Sequence, residues 1–223
     1  MKSVAILTTL LAATAAAHAG PITAGHLDLD IDYSGGPDGA LTLGWKTYNP
    51  MSAGTPINDD NYPTTDNLAI VPLGNAYVVP SSASFACLGA AGSTVYRLKQ
   101  SQDAGQIWLG YNTQNVAADQ FVDNKVQLKL VGVVEAPADG RFVLYTTNAV
   151  GTPTYLFNTV AGACGVTAFP GGGITTNIHN HAWWAFSAPG VYTLRFAASG
   201  TLTAANGGAF KSSGNVDVTF DVR

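Results

Sequence analysis

The stretch "TTNIHNHAWWAFSAPGVYTLRF", residues 175–196, decides the fold. In its second half Tyr192, Leu194 and Phe196 alternate with Thr193 and Arg195. Successive side chains of an extended strand point to opposite faces, so this half reads as a strand with one apolar side. Pro189-Gly190 supplies a turn just before it, and a tyrosine two residues after that glycine has the form of a tyrosine corner, whose hydroxyl bonds back to the backbone. In the first half the same alternation puts His179, His181 and Trp183 on one face. Asn180, Ala182, Trp184 and Phe186 fall on the other, which reads as the core side.

The rest of the chain repeats this grammar. Short β-like runs occur at 26–33, 40–48, 68–73, 94–100, 106–112, 125–136, 140–147, 153–159, 181–186, 191–198 and 215–222. Turn signals separate them, among them Gly-Gly-Pro-Asp-Gly at 35–39, Pro-Ala-Asp-Gly at 137–140 and Pro-Gly-Gly-Gly at 170–173. No long segment shows a helical apolar period, although 114–123 has room for a short helical turn. Many short strands with regular punctuation predict an all-β protein: a single antiparallel β-sandwich of immunoglobulin-like or jelly-roll-like form. The polar, Pro-rich stretch 49–67 reads as a surface loop. Its Asp59, Asp60 and Asp66 lack the ordered spacing of a calcium loop.

The first residues read as an export signal. Met1-Lys2 is followed by an apolar run from Val4 to Ala17, too short to span a bilayer comfortably, and then by small residues. Ala17-His18-Ala19 places cleavage before Gly20, giving a signal peptide of residues 1–19 and one domain of residues 20–223. A cut after Ala17 is the alternative and would make His18 the first residue. No other stretch is long and apolar enough for a membrane span, and 216–223 reads as a final strand. The mature chain is therefore expected in the periplasm, outside the cell or at its surface.

Without Lys2 there remain nine basic against fourteen acidic residues, with no basic patch. Nucleic acid and anionic membrane are not expected partners. The two cysteines, Cys87 and Cys164, read first as a disulfide in an exported chain; a thiolate pair on a metal is the rival reading.

Under the preferred cut three histidines remain: His26, His179 and His181. Two imidazoles at i and i+2 of a strand project together and can share one ion, with zinc–nitrogen distances of about 2.0–2.1 Å. His26 opens the run "HLDLDIDY", where Asp28, Asp30 and Asp32 share its face and Leu27, Leu29, Ile31 and Tyr33 take the other. If His26 reaches the pair, three nitrogens form a site for zinc or copper. Asp28 is then a further ligand or a partner of His26 behind the ion, whereas Asp30 and Asp32 read as a solvated strand face. Trp183 could shield the site, stack on a sugar or pack under a loop.

Three blocks, in this order, carry a resemblance. Gly25-His26-x-Asp28, Ile107-Trp108-Leu109-Gly110 and His179-x-His181-x-x-Trp184-x-Phe186-x-x-Pro189-Gly190-x-Tyr192 resemble the choice-of-anchor M domain of bacterial surface proteins. That domain is related to the actinobacterial surface-anchored repeat domain. The resemblance implies a secreted β-sandwich associated with a cell surface, and relatives associated with metal-type transport systems. On the matching positions it implies a metal role for His26, His179 and His181, with a metal ion and surface or transport proteins as partners. The family commonly has a polar residue where this chain has Trp183. No enzymatic activity comes with the resemblance.

Three functions follow for testing: a non-enzymatic metal-binding module, a structural or adhesive surface domain without metal, and a copper monooxygenase with His18 at the mature N-terminus. The sequence has no Gly-x-Ser-x-Gly, no His-Glu-x-x-His and no phosphate loop. Paired acids for glycoside cleavage stay open, since any two carboxylates could meet in space.

Overall fold

The alternation read from the sequence becomes strands almost everywhere it occurs. A computed structural model describes residues 21–52, 55–56, 61–62 and 68–223, with side chains described outside 49–67. The signal segment, both cleavage points and His18 lie outside the described residues, as do Asp59, Asp60 and Asp66. The described strands are β1 (Ala24–Tyr33), β2 (Leu41–Ser52), β3 (Thr55–Pro56), β4 (Asn61–Tyr62), β5 (Leu68–Val71), β6 (Ala76–Val78), β7 (Thr94–Leu98), β8 (Ile107–Asn112) and β9 (Lys125–Glu135). They continue with β10 (Phe142–Thr147), β11 (Pro153–Asn158), β12 (Ile174–Thr175), β13 (His179–His181), β14 (Trp183–Phe186), β15 (Gly190–Thr201), β16 (Phe210–Ser212) and β17 (Val216–Val222). Helical structure among the described residues is confined to three-residue 3-10 turns. The helical turn expected at 114–123 is reduced to one of these, Val122–Asn124.

Three sheets form. The first runs β13-β8-β1-β2-β3 with β4 also on β2, the second β11-β10-β14-β7-β6, and the third β12-β9-β15-β17-β5 with β16 on β15. The protein is all-β and packs as a sandwich; among the described strands the pairing is antiparallel except in two cases, and an isolated bridge between Ile22 and Ala69 is also parallel. β1 lies parallel to β8, and β17 parallel to β5.

The sheets meet in one large apolar core. Phe220 of β17 is its meeting point. Its ring packs on Trp45 of the first sheet at 6.0 Å, and on Trp184 and Phe186 of the second at 5.6 and 5.0 Å. Aromatic contacts of this kind add about 0.5–1.5 kcal/mol each to the area they bury. The tyrosine corner forms as expected: the Tyr192 hydroxyl donates to the Ala188 carbonyl at 3.0 Å and accepts from the Ala188 N–H at 3.1 Å.

The run 181–186, read as one strand, is divided. β13 belongs to the first sheet and β14 to the second, and the single residue between them, Ala182, is fully buried. The alternation of faces survives this crossing, which is why the sequence shows no break.

Cys87 and Cys164 are joined to each other, 77 residues apart in sequence. This excludes the thiolate–metal reading. The bond ties the loop after β6 to the loop after β11, at the edge strands of the second sheet. Replacing both cysteines by serine is expected to lower the unfolding free energy by about 2–5 kcal/mol. Urea titrations of the oxidised protein and the double variant measure the difference.

Candidate metal centre

The site begins with the parallel pairing of β1 on β8. Its register sets His26 beside Trp108 and Asp28 beside Gly110. On the far edge of β8, β13 pairs antiparallel and sets His181 across from Gly110 and His179 across from Asn112. Period-2 alternation then raises His26, Asp28, Trp108, His179 and His181 from the same face of the first sheet. Residues 150 apart in sequence arrive together because β8 takes one partner on each edge.

The turn before β13 fixes where the histidine pair enters. The Thr113 hydroxyl donates to the Thr175 carbonyl at 2.8 Å and accepts from the Ile178 N–H at 3.2 Å. The Thr113 N–H also donates to the Ile178 carbonyl at 2.9 Å. Asn177 takes a left-handed φ of 58°, a conformation asparagine tolerates better than most residues.

The donor atoms converge. His26 Nε2 lies 3.1 Å from His179 Nε2 and 3.3 Å from Asp28 Oδ1. His179 Nε2 lies 3.2 Å from Asp28 Oδ1 and 3.1 Å from Oδ2. With His181 included, one ligand atom from each of the four residues lies within 4.8 Å of all the others. The structure therefore brings together all three sequence-predicted histidines, with Asp28, read from the sequence as a further ligand or a partner of His26, in direct contact with two of them.

Asp28 is 0% exposed, and His26 and His179 keep 17% and 23% of their side-chain surface. His181 is clamped flat on Trp108, ring centroids 3.6 Å apart and planes 5° from parallel. Both nitrogens of His181 are buried and neither makes a hydrogen bond of ordinary geometry, the Leu109 backbone interacting only weakly with the ring. Burial depresses its pKa to about 4 against the pull of Asp28, with His179 and His26 lowering it further. Tyr48 stacks on His26 at 4.6 Å. Trp108 is in turn aimed by its indole N–H, which donates to the Gln100 carbonyl at 2.9 Å.

Gly110 makes the room. A Cβ there would stand 2.3 Å from Asp28 Oδ1 and 2.7 Å from the Asn180 carbonyl oxygen. Glycine inside a strand often marks such a close approach. Trp108 and Gly110 were visible in the sequence only as a short Trp-Leu-Gly element, whose meaning depends on the strand that pairs with it.

One expectation is corrected, and the alternatives left open for Trp183 narrow to packing. Asp30 is 4% exposed and not solvated, and Asp32 is only partly open. The pleat shows which face a residue takes but not what rises beside it, and burial pushes the Asp30 carboxyl up to about 8, helped by the neighbouring Asp32 carboxylate. Trp183 does not stack on the histidines. The step into the second sheet at Ala182 places its ring on the Arg97 guanidinium at 3.8 Å and parallel to Tyr145. It reaches the site only through others: its indole N–H donates to Thr147 Oγ1, and the Thr147 N–H donates to the side-chain oxygen of Gln100, whose own carbonyl holds Trp108.

Comparison of the chain with protein-family models, with curated proteins and with solved structures finds no match. The functional reading therefore rests on the geometry of this cluster. Gly110→Ala is expected to destabilise the fold by about 1–3 kcal/mol, because the added methyl meets a backbone carbonyl and a buried carboxylate. Gly132→Ala, where a Cβ meets nothing within 4 Å, is the control and should stay within about 0.5 kcal/mol of the parent. Urea unfolding of the two variants checks the contrast.

Proposed function

We propose that this protein is an exported, non-enzymatic binding module that holds one transition-metal ion through His26, His179, His181 and Asp28. One observation carries the reading. His26 Nε2, His179 Nε2 and the Asp28 carboxylate form a nearly equilateral triangle with edges of 3.1–3.3 Å. Ligands about 2.0–2.1 Å from a tetrahedral zinc are separated by about 3.3 Å. The triangle thus has the size of one face of a coordination tetrahedron, and His181, with a ring nitrogen within 4.8 Å of the other three atoms, is the nearby candidate for a fourth donor.

Energetics favour a ligand over a purely structural role. A buried polar group left unsatisfied costs roughly 1–3 kcal/mol, and His181 has only a weak interaction with the Leu109 backbone to offset that cost. A cation shared with the Asp28 carboxylate relieves that cost and compensates a fully buried charge.

Four protein donors also favour holding the ion over reacting at it. Catalytic zinc sites keep a position free for water or substrate, whereas closed four-ligand sites are structural or storage sites. The copper brace needs an N-terminal amine; this site gathers its donors without one.

The disulfide fits an oxidising compartment. Among the described residues no helix is long and apolar enough to cross a membrane. Export to a cell surface, with surface or transport proteins as partners, is what the resemblance to the choice-of-anchor M domain adds to this reading.

Untagged protein is expected to bind one equivalent of metal by elemental analysis. Zinc at about 100 times its dissociation constant should add about 2.7 kcal/mol to the unfolding free energy, reversed by a chelator. A variant with His26, His179 and His181 all changed to alanine should lose both effects. Equal metal content in parent and variant, or a melting temperature indifferent to zinc, copper and chelator, removes the proposal and leaves the structural domain.

A further inference from the structure

This inference rests on the metal reading and deepens it: it concerns which ion the site takes. We infer that Asp28 is the residue that selects, committing the site to a four-coordinate divalent ion of the zinc type and against copper(I).

The donor set is three imidazoles and one carboxylate oxygen. Imidazole accepts zinc, copper, iron and nickel alike, so the histidines alone do not choose. Copper(I) is drawn to soft sulfur ligands. No sulfur stands among the four converging residues, and Cys87 and Cys164 are consumed by each other. The carboxylate is the hard member of the set and the anionic one.

Position makes that carboxylate decisive. It is 0% exposed, and Oδ1 and Oδ2 face imidazole nitrogens at 3.1–3.3 Å. No arginine or lysine forms an ion pair with it among the described residues. An anion enclosed this way attracts a double charge more strongly than a single one, and the low local dielectric enlarges the difference. It also cannot turn out into solvent. Gly110 on one side leaves just the space the oxygen fills, and His26 and His179 close the other.

The spacing sets the coordination number. The edges of 3.1–3.3 Å among His26, His179 and Asp28 match one face of a tetrahedron, and His181, within 4.8 Å of those atoms, offers the fourth donor, with no backbone carbonyl in the set. A hard octahedral ion such as magnesium requires six oxygen-type ligands, and this pocket offers one carboxylate.

The test uses the full exported chain with its disulfide intact. Cobalt(II) serves as the spectroscopic probe. Zinc and copper(I), the latter kept reduced without oxygen, then compete in equal amounts for one site, read by elemental analysis. The expected results are the intense visible bands of four-coordinate cobalt, and zinc exceeding copper(I) in the site by at least about tenfold. Asp28→Asn keeps the shape and removes the charge. It should weaken cobalt and zinc by about 100-fold or more, beyond the 10–100-fold cost of losing a group behind the ligands, while copper(I) binding changes little. The cobalt spectrum and the competition are read on the unaltered protein, so the inference remains exposed if Asp28→Asn fails to fold. A six-coordinate cobalt spectrum, or copper(I) displacing zinc, overturns the inference while leaving a metal-binding protein. Absence of binding by all three ions overturns the metal reading itself, and this inference with it.

Discussion

The parallel register of β1 on β8 is the constraint on which the site depends. It sets Asp28 beside Gly110 and His26 beside Trp108. A slip of one residue would turn every side chain of β1 to the opposite face. Leu27, Leu29 and Ile31 would leave a core in which they are 0–1% exposed, and the histidine and aspartates would enter it. Fully burying each such side chain contributes about 1.5–3 kcal/mol. The apolar face of β1 thus holds the register, and the register aims the polar face. Site geometry is inherited from core packing, with no need for the four donors to attract one another.

That inheritance explains how such an unfavourable arrangement persists. Two imidazole nitrogens 3.1 Å apart beside a buried carboxylate, with a third imidazole short of ordinary hydrogen bonds, would not gather on a flexible loop. Here each donor sits on a strand. β1 and β13 flank β8 on its two edges, and the turn into β13 is fastened through Thr113. Aromatic rings then limit what the imidazoles can do: Trp108 covers the face of His181, and Tyr48 a face of His26. Rigid elements, locked rotamers and supporting contacts are what hold a binding constellation within a fraction of an ångström.

Much of this was legible in the sequence, for identifiable reasons. Alternation in "HLDLDIDY" and "VYTLRFAA" gave strands and faces, and Pro189-Gly190-x-Tyr192 gave the corner. The three histidines were legible because few residue types bind transition metals and two of them shared a strand face. What alternation cannot carry is partnership. Nothing in Ile107–Gly110 announces that β8 will lie parallel to β1, since a parallel pairing needs a long connection and leaves no turn signature. The roles of Trp108 and Gly110 were hidden with it. So was the burial of Asp28 and Asp30, which depends on the strands that rise on either side.

The sheet switch at Ala182 carries the constraint one step further. His181 and Trp183 are two residues apart on one backbone, yet they are held by different sheets. Trp183 is fixed by the Arg97 guanidinium, which is itself sandwiched against Tyr77 at 3.4 Å, and Trp184 is buried against Phe220. A bound ion that drew His181 off Trp108 would therefore have to disturb the second sheet as well. The hydrogen bonds from Trp183 through Thr147 and Gln100 to Trp108 close the same circuit from the other side. With its backbone anchored downstream and its ring clamped, His181 is the donor least free to move. His26 and His179 are the more exposed pair, keeping 17% and 23% of their side-chain surface.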